Sequence, residues 1–263
     1  MEKIIIKTPE EIKIMRQGGR ILAMILKELS LAAKPGVSTV ELNDLAEDLI
    51  EKNDALPAFK NYRPSADDSP FPTTLCTSIN REVVHAPAFP ARLLRDGDVL
   101  CLDLGLKYPA DENGLFVDAA ITVGIGGITP EAKKLIETTR QSLEIGINQV
   151  KEGNTIQDIA KAVQAKVEKA GFSVVRDLVG HGVGKRVHEP PRIPNFWDGG
   201  ERPVELKEGM TICIEPMVCA GSAAVRTKRD DGWTVETVDC SLAAHFEHTI
   251  AVTKDGYEIL TKL

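Results

Sequence analysis

The 263-residue sequence predicts an α+β fold built from one duplicated unit, two halves that face each other across a pseudo-twofold axis and form a single domain. Three observations predict it: paired helix-start signals, paired buried strands that each end on an acid, and an order of elements that occurs twice. The halves run from about residue 8 to 124 and from 129 to 263.

Helices open each half. Thr8-Pro9-Glu10 and Thr129-Pro130-Glu131 each put a threonine at the N-cap, a proline at the first helical position and an acid in the first turn, where its charge suits the helix dipole. Lys34-Pro35-Gly36-Val37-Ser38 then leads to ELNDLAEDLI, and Lys151-Glu152-Gly153-Asn154-Thr155 to IQDIAKAVQAKVEKAG. Ser38 with Glu41 and Thr155 with Asp158 have capping-box spacing, so each half is expected to contribute two helices.

Strands follow. Val84-His85-Ala86-Pro87 matches Val187-His188-Glu189-Pro190, which places a His and a Pro in the loop before each acid-bearing strand. Arg95-Asp96-Gly97 then VLCLD aligns with Lys207-Glu208-Gly209 then TICIE, setting Asp103 against Glu215. Downstream, Asp118 leads DAAITVG and Glu247 leads EHTIAVT. Asp111 also follows Asp103, but it sits in PADENG, a turn signal where an exposed Asp is ordinary, so Asp118 is the expected partner of Glu247.

Those positions carry the chemistry. Asp103 interrupts the apolar run of VLCLDLG, and an unpaired carboxylate in such a setting is costly. A satisfied core Asp would explain one case; four acids converging across a pseudo-twofold axis repel unless cations neutralise them. Asp103, Asp118, Glu215 and Glu247, with His181 from VGHGVGKRVH as a nitrogen ligand, form an oxygen-rich set suited to Mn, Fe(II), Co or Zn. Four carboxylates suit two ions with shared acids as bridges and a water between them as nucleophile.

Composition narrows the alternatives. Net charge −7, with no cluster of Lys and Arg, argues against nucleic-acid binding as the main activity. Five cysteines without CxxC spacing suit a reducing cytosol, and MEKIIIKTPEE fits neither a signal peptide nor a membrane span, so a cytoplasmic protein is expected.

With SINREVVHAP, VLCLDLG, FVDAAITVG, VGHGVGKRVHEPP, TICIEPM, WTVETVD and HFEHTIAVT in order over nearly the whole chain, the sequence resembles the type I methionine aminopeptidases of the creatinase-like, pita-bread fold. The resemblance implies two divalent ions. Asp103 would chelate one, Asp118 and Glu247 would bridge, and His181 and Glu215 would complete the other, with Glu215 also the proton acceptor. His85 and His188 would steady the scissile amide and the tetrahedral intermediate. Phe71, Cys76 and Trp233 would line the methionine side-chain pocket, although all three would also serve as plain core residues. The implied substrates are N-termini of nascent polypeptides with a small second residue. A monomer is the expectation; transient ribosome association is a family option for which this acidic chain shows no clear basic patch.

The sequence departs from the family at several points. His85-Ala86-Pro87 stands where His-Gly-Ile-Pro is usual, the Asp103 to Asp118 turn is longer, and Val187 replaces a common aromatic, which would enlarge that side of the pocket. Tyr62 is a further candidate near the pocket, in the stretch NYRPSADDSPFP, which is too irregular to align. His245, two residues before Glu247, reads as an outer partner or extra ligand, or else as a His at the edge of the site or turned to solvent. His248 would point to the opposite face as a hydrogen-bonded structural residue. The alternatives are an X-Pro aminopeptidase or dipeptidase on the same fold, and a silent binding module. A first helix near Thr8 leaves no room for the extra N-terminal domain usual in X-Pro enzymes, and the 27 residues from His188 to Glu215 are too few for the type II insert.

Overall fold

All four helices begin where the sequence places their caps. α1 (Pro9–Ala32) and α2 (Thr39–Lys52) open on Thr8 and Ser38, whose hydroxyl oxygens accept from the N–H of Glu11 and Glu41 while those carboxylates accept from the cap N–H groups. α3 (Pro130–Ile147) opens on Thr129, which accepts from Ala132 N–H at 3.1 Å. α4 (Ile156–Lys169) opens on Thr155, whose N–H donates to Asp158 at 2.8 Å. Each cap satisfies donors that a helix end otherwise leaves bare. The structure, a computed structural model, describes residues 3–197, 199–200 and 203–263.

Nine strands form one antiparallel sheet in the order Leu56–Pro57, Val99–Tyr108, Leu115–Gly124, Glu247–Thr253, Thr211–Ile214, Gly180–Gly182 and Glu189–Ile193. Cys76–Ile79 pairs with the second of these and Gly256–Ile259 with the fourth. The sheet runs across both halves of the sequence, and the halves meet where Glu247 pairs with Ala120 and His248 with Ala119.

Alternation along the strands sorts the two faces. Leu100, Leu102, Leu104 and Leu106 turn toward α1 and α2 and pack with Leu22, Ile25 and Leu42. Ile212, Ile214 and Val252 pack with Leu135, Ile159 and Val163 of α3 and α4. Among the described residues the buried apolar side chains form three clusters: one under α1 and α2, one under α3 and α4 with Ile121 packed against both, and a smaller one that gathers Val83, Val84, Val175 and Met217. Burying each such side chain is worth about 1.5–3 kcal/mol, so the helix-covered face supplies most of the driving force. No helix among the described residues is long and apolar enough to cross a membrane.

Gly19 lets α1 lie against the C-terminal segment. A Cβ there would stand 2.2 Å from the carbonyl oxygen of Leu260, a backbone atom that cannot swing aside. Gly19→Ala is therefore expected to destabilise the protein by about 1–3 kcal/mol, read as a lower urea midpoint at unchanged slope.

Candidate metal centre and active site

Register brings the acids together. Cys76 pairs with Asp103, Asp103 with Ala120, and Ala120 with Glu247, so a lateral row crosses four strands with its side chains on one face. Asp118 lies two residues before Ala120 and shares that face. Glu215 follows the strand Thr211–Ile214, and the pairing of Ile214 with His248 brings it level with Glu247. The parity that makes Asp103 look misplaced in VLCLDLG aims it away from the leucine core. Asp111 is exposed in the turn, as its setting predicts.

The four carboxylates are buried, and oxygens of Asp103, Asp118 and Glu247 lie within 4.8 Å of one another. His181 Nε2 stands 3.5 Å from Glu215 Oε1, and its Nδ1 lies 2.9 Å from the carbonyl oxygen of Gly182. An Nδ1–H donating to that carbonyl leaves the Nε2 lone pair facing the acids, the arrangement of a metal-ligating imidazole. His181, Cys213 and Glu247 also place one donor atom each within 4.8 Å of the others.

These groups fit divalent cations. Asp103 Oδ1, Asp118 Oδ1, Glu215 Oε1 and Glu247 Oε1 are buried without a hydrogen-bond partner among the described residues. Burial pushes the Asp118 carboxyl up to about 7. Burial, then the charges of their neighbours, drives Asp103, Glu215 and Glu247 well above the usual carboxylate range. Left to themselves the acids take up protons, and a cation is what would let them ionise together. Burial also lowers His181 to about 3, which keeps it neutral and able to ligate.

A cavity of about 1170 Å³ opens over this row. His85, His188, Phe71, Cys76 and Trp233 all line it, with Asp103, Asp118, His181, Glu215 and Glu247 at one side. Phe71 and Trp233 meet edge to face, centroids 5.3 Å apart, in the geometry aromatic pairs prefer. Cys76 is buried and its thiol is pushed far above the usual range by burial and the nearby acids, so it is a wall and not a nucleophile. His85 adopts a left-handed backbone with φ 59°, uncommon for a residue with a side chain. Behind it Ala86 is fully buried, and its carbonyl accepts from Thr77 N–H at 2.8 Å, which is how the shortened His-Ala-Pro loop is held.

The loop carrying His188 is gripped from the N-terminal segment. Lys7 makes a buried ion pair with Glu189, whose other oxygen accepts from Arg186 N–H at 2.9 Å, and Glu11 pairs with Lys185.

Val187 is buried and is not among the residues that line the cavity. One expectation is corrected. His245 is neither at the edge nor turned to solvent: it is buried, with Nδ1 3.7 Å from Cys101 Sγ and Nε2 3.8 Å from Glu215 Oε2. Its strand, Ala243–His245, pairs with Met217–Cys219 in a separate sheet, so the chain changes sheets between His245 and Glu247. His248 bonds Thr261 Oγ1 at 2.9 Å, as expected of a structural His.

Sequence reasoning missed Phe59 and Met217 in the wall and Cys213 near the acids; Tyr62, a candidate without an alignment, does line the cavity. Cys213 and Met217 lie two residues either side of Glu215, a spacing that could have flagged them. Phe59 and Tyr62 lie in an aperiodic stretch with no such signal.

Known proteins share both the sequence and the fold. The profile of metallopeptidase family M24 matches residues 13–254. Methionine aminopeptidase 1 of Bacillus subtilis is 46% identical over 261 residues, covering 99% of this chain and all of that protein. The Escherichia coli K12 methionine aminopeptidase is 41% identical, over 98% of this chain and 94% of its own. The methionine aminopeptidase structure from Thermotoga maritima superposes with a TM-score of 0.92 at 40% identity, over 99% of this chain and all of that one. A prolidase from Pyrococcus horikoshii shares the fold alone, with a TM-score of 0.76 at 23% identity over 63% of its own length. The curled antiparallel sheet with four helices is thus the pita-bread fold, and the chain belongs to metallopeptidase family M24, among its methionine aminopeptidases.

Proposed function

We propose that this chain, as a single type I catalytic domain, removes the N-terminal methionine of nascent polypeptides whose second residue is small. The observation that carries the reading is the row of four buried carboxylates, each with one oxygen lacking a hydrogen-bond partner among the described residues, with one imidazole beside an aromatic- and thiol-walled cavity. Asp103 would hold one divalent ion, His181 and Glu215 the other, and Asp118 and Glu247 both. The donor set accepts Mn, Fe(II), Co or Zn. When bound, such ions supply Lewis-acid polarisation of the scissile carbonyl and a water acidified toward neutrality.

The chain's own residues do the rest. Glu215 takes the proton of the attacking water and returns it to the leaving amine. His85 and His188 donate to the scissile amide and to the oxyanion as charge grows there. Phe71, Cys76 and Trp233 bury the methionine side chain, whose polarizable sulfur packs well against rings and thiol. The setting is the cytosol, with a monomer acting on chains as they emerge.

Metal-stripped protein is expected to release methionine from Met-Ala-Ser only when Mn, Fe(II), Co or Zn is added back, and to leave Ala-Pro-Ser intact. Cleavage of Ala-Pro-Ser instead would move the assignment to the X-Pro enzymes. No cleavage with any ion would make the chain a silent binding module.

A further inference from the structure

Tyr62 and His188 are 126 residues apart in sequence, yet the Tyr62 hydroxyl lies 2.7 Å from His188 Nδ1, with the rings edge to face at 5.1 Å. Both line the cavity, and the His181 ring also meets His188 edge to face, with centroids 4.4 Å apart. The His188 Nε2 has no hydrogen-bond partner among the described residues.

A neutral imidazole carries one ring proton, and which nitrogen holds it follows from what the other nitrogen bonds. Burial raises the Tyr62 hydroxyl above its usual value, so it is protonated at neutral pH and needs an acceptor. Nδ1 is the acceptor it meets. The reverse pairing, Nδ1–H to the phenol oxygen, would strand the phenolic proton and turn a lone pair toward the substrate.

We propose that Tyr62 is a positioning residue: its hydroxyl donates to His188 Nδ1, keeps the ring proton on Nε2, and presents that N–H as the donor to the scissile carbonyl oxygen. This rests on the role given to His188 above. It assigns the aperiodic stretch around Tyr62 a task in the chemistry beyond enclosing the side-chain pocket. The ion pair of Lys7 with Glu189 anchors the backbone next to His188, and Tyr62 fixes the ring.

Tyr62→Phe tests it, because phenylalanine keeps the ring and removes only the hydroxyl. In holoenzyme, kcat for Met-Ala-Ser is expected to fall about tenfold to a hundredfold with KM within about twofold, below the full loss seen when an oxyanion donor is deleted. In a His188→Ala background the same change is expected to cost nothing further, because the hydroxyl acts only through that ring. The zinc-loaded protein gives a readout independent of turnover: long-range ¹H–¹⁵N correlations, in a chain of five histidines, should show His188 as the Nε2–H tautomer in the parent and a tautomer mixture in Tyr62→Phe. An Nδ1–H tautomer in the parent overturns the proposal. So does a Tyr62→Phe enzyme of parental kcat alongside a disabled His188→Ala. A parent that releases no methionine would overturn the functional reading instead, and the tautomer would still decide the role of Tyr62.

Discussion

Glu215→Gln is expected to lower kcat for Met-Ala-Ser by about 10²- to 10⁴-fold, the range ascribed to a positioned proton acceptor. Gln matches Glu in size and cannot accept the proton, so the change isolates chemistry from packing. It also removes one of four acids forced together in a buried site. The metal-free variant is therefore expected to be more stable at neutral pH than the metal-free parent, because the unfolded parent gains by ionising Glu215 while the fold holds that carboxyl protonated. Added metal should raise its melting temperature less than it raises the parent's, because one ligand is gone. The opposite signs separate this account from simple misfolding, which would lower both temperatures. Activity within tenfold of the parent would remove Glu215 from the proton path.

Most of that site was legible because the chemistry that makes it costly also makes it conspicuous. Asp103 breaks an apolar run, and its partners were found by asking which other strand positions break theirs in the same order. The aligned strands of the two halves do not share one register. Cys101 pairs with Thr122, whereas Cys213 pairs with Thr249 and not with Ala251, which aligns with Thr122. A shift of two residues keeps every side chain on its face, so the acids still converge; a shift of one would have sent one set into the leucine core.

What was not legible depends on contacts between distant segments. Tyr62 and Phe59 reach the cavity from a stretch with neither period 2 nor 3.6, where no local pattern says which way a ring points. The burial of His245 was not legible because it depends on a break in the strand at Phe246. Ala243–His245 and Met217–Cys219 pair in a second sheet, so both chains leave the main sheet beside Glu215. Pro216 follows Glu215 and donates no backbone hydrogen bond, a local sign that the ladder ends there.

Metal-free protein is expected to lose stability as pH rises from about 6.5 to 8.5, and metal-loaded protein to gain it. The sign follows from which state binds protons more tightly. Asp118 is raised to about 7 in the fold from an ordinary 3.8, and burial holds Asp103, Glu215 and Glu247 well above their ordinary values too. Above pH 4 the unfolded chain releases these protons while the fold keeps them, so their contribution is full below that pH and is lost as pH climbs through the folded values. The histidines oppose this at lower pH. Burial depresses His85 to about 4, His181 and His245 to about 3, and His248 to about 4, and it lowers His188 as well, so the unfolded state binds their protons first as pH falls below 6.5. Near pH 8.5 the unfolded chain's thiols begin to ionise, while Cys76, Cys101 and Cys213 stay protonated in the fold. Between those limits each proton that the acids retain in the fold contributes a slope of about 1.4 kcal/mol per pH unit. Ligand binding reverses the slope, because an ion binds only deprotonated carboxylates and its affinity rises with pH. Melting temperatures at pH 6.5, 7.5 and 8.5, with chelator and with added Mn, should diverge. Parallel curves would mean that no cation competes with protons for Asp103, Asp118, Glu215 and Glu247.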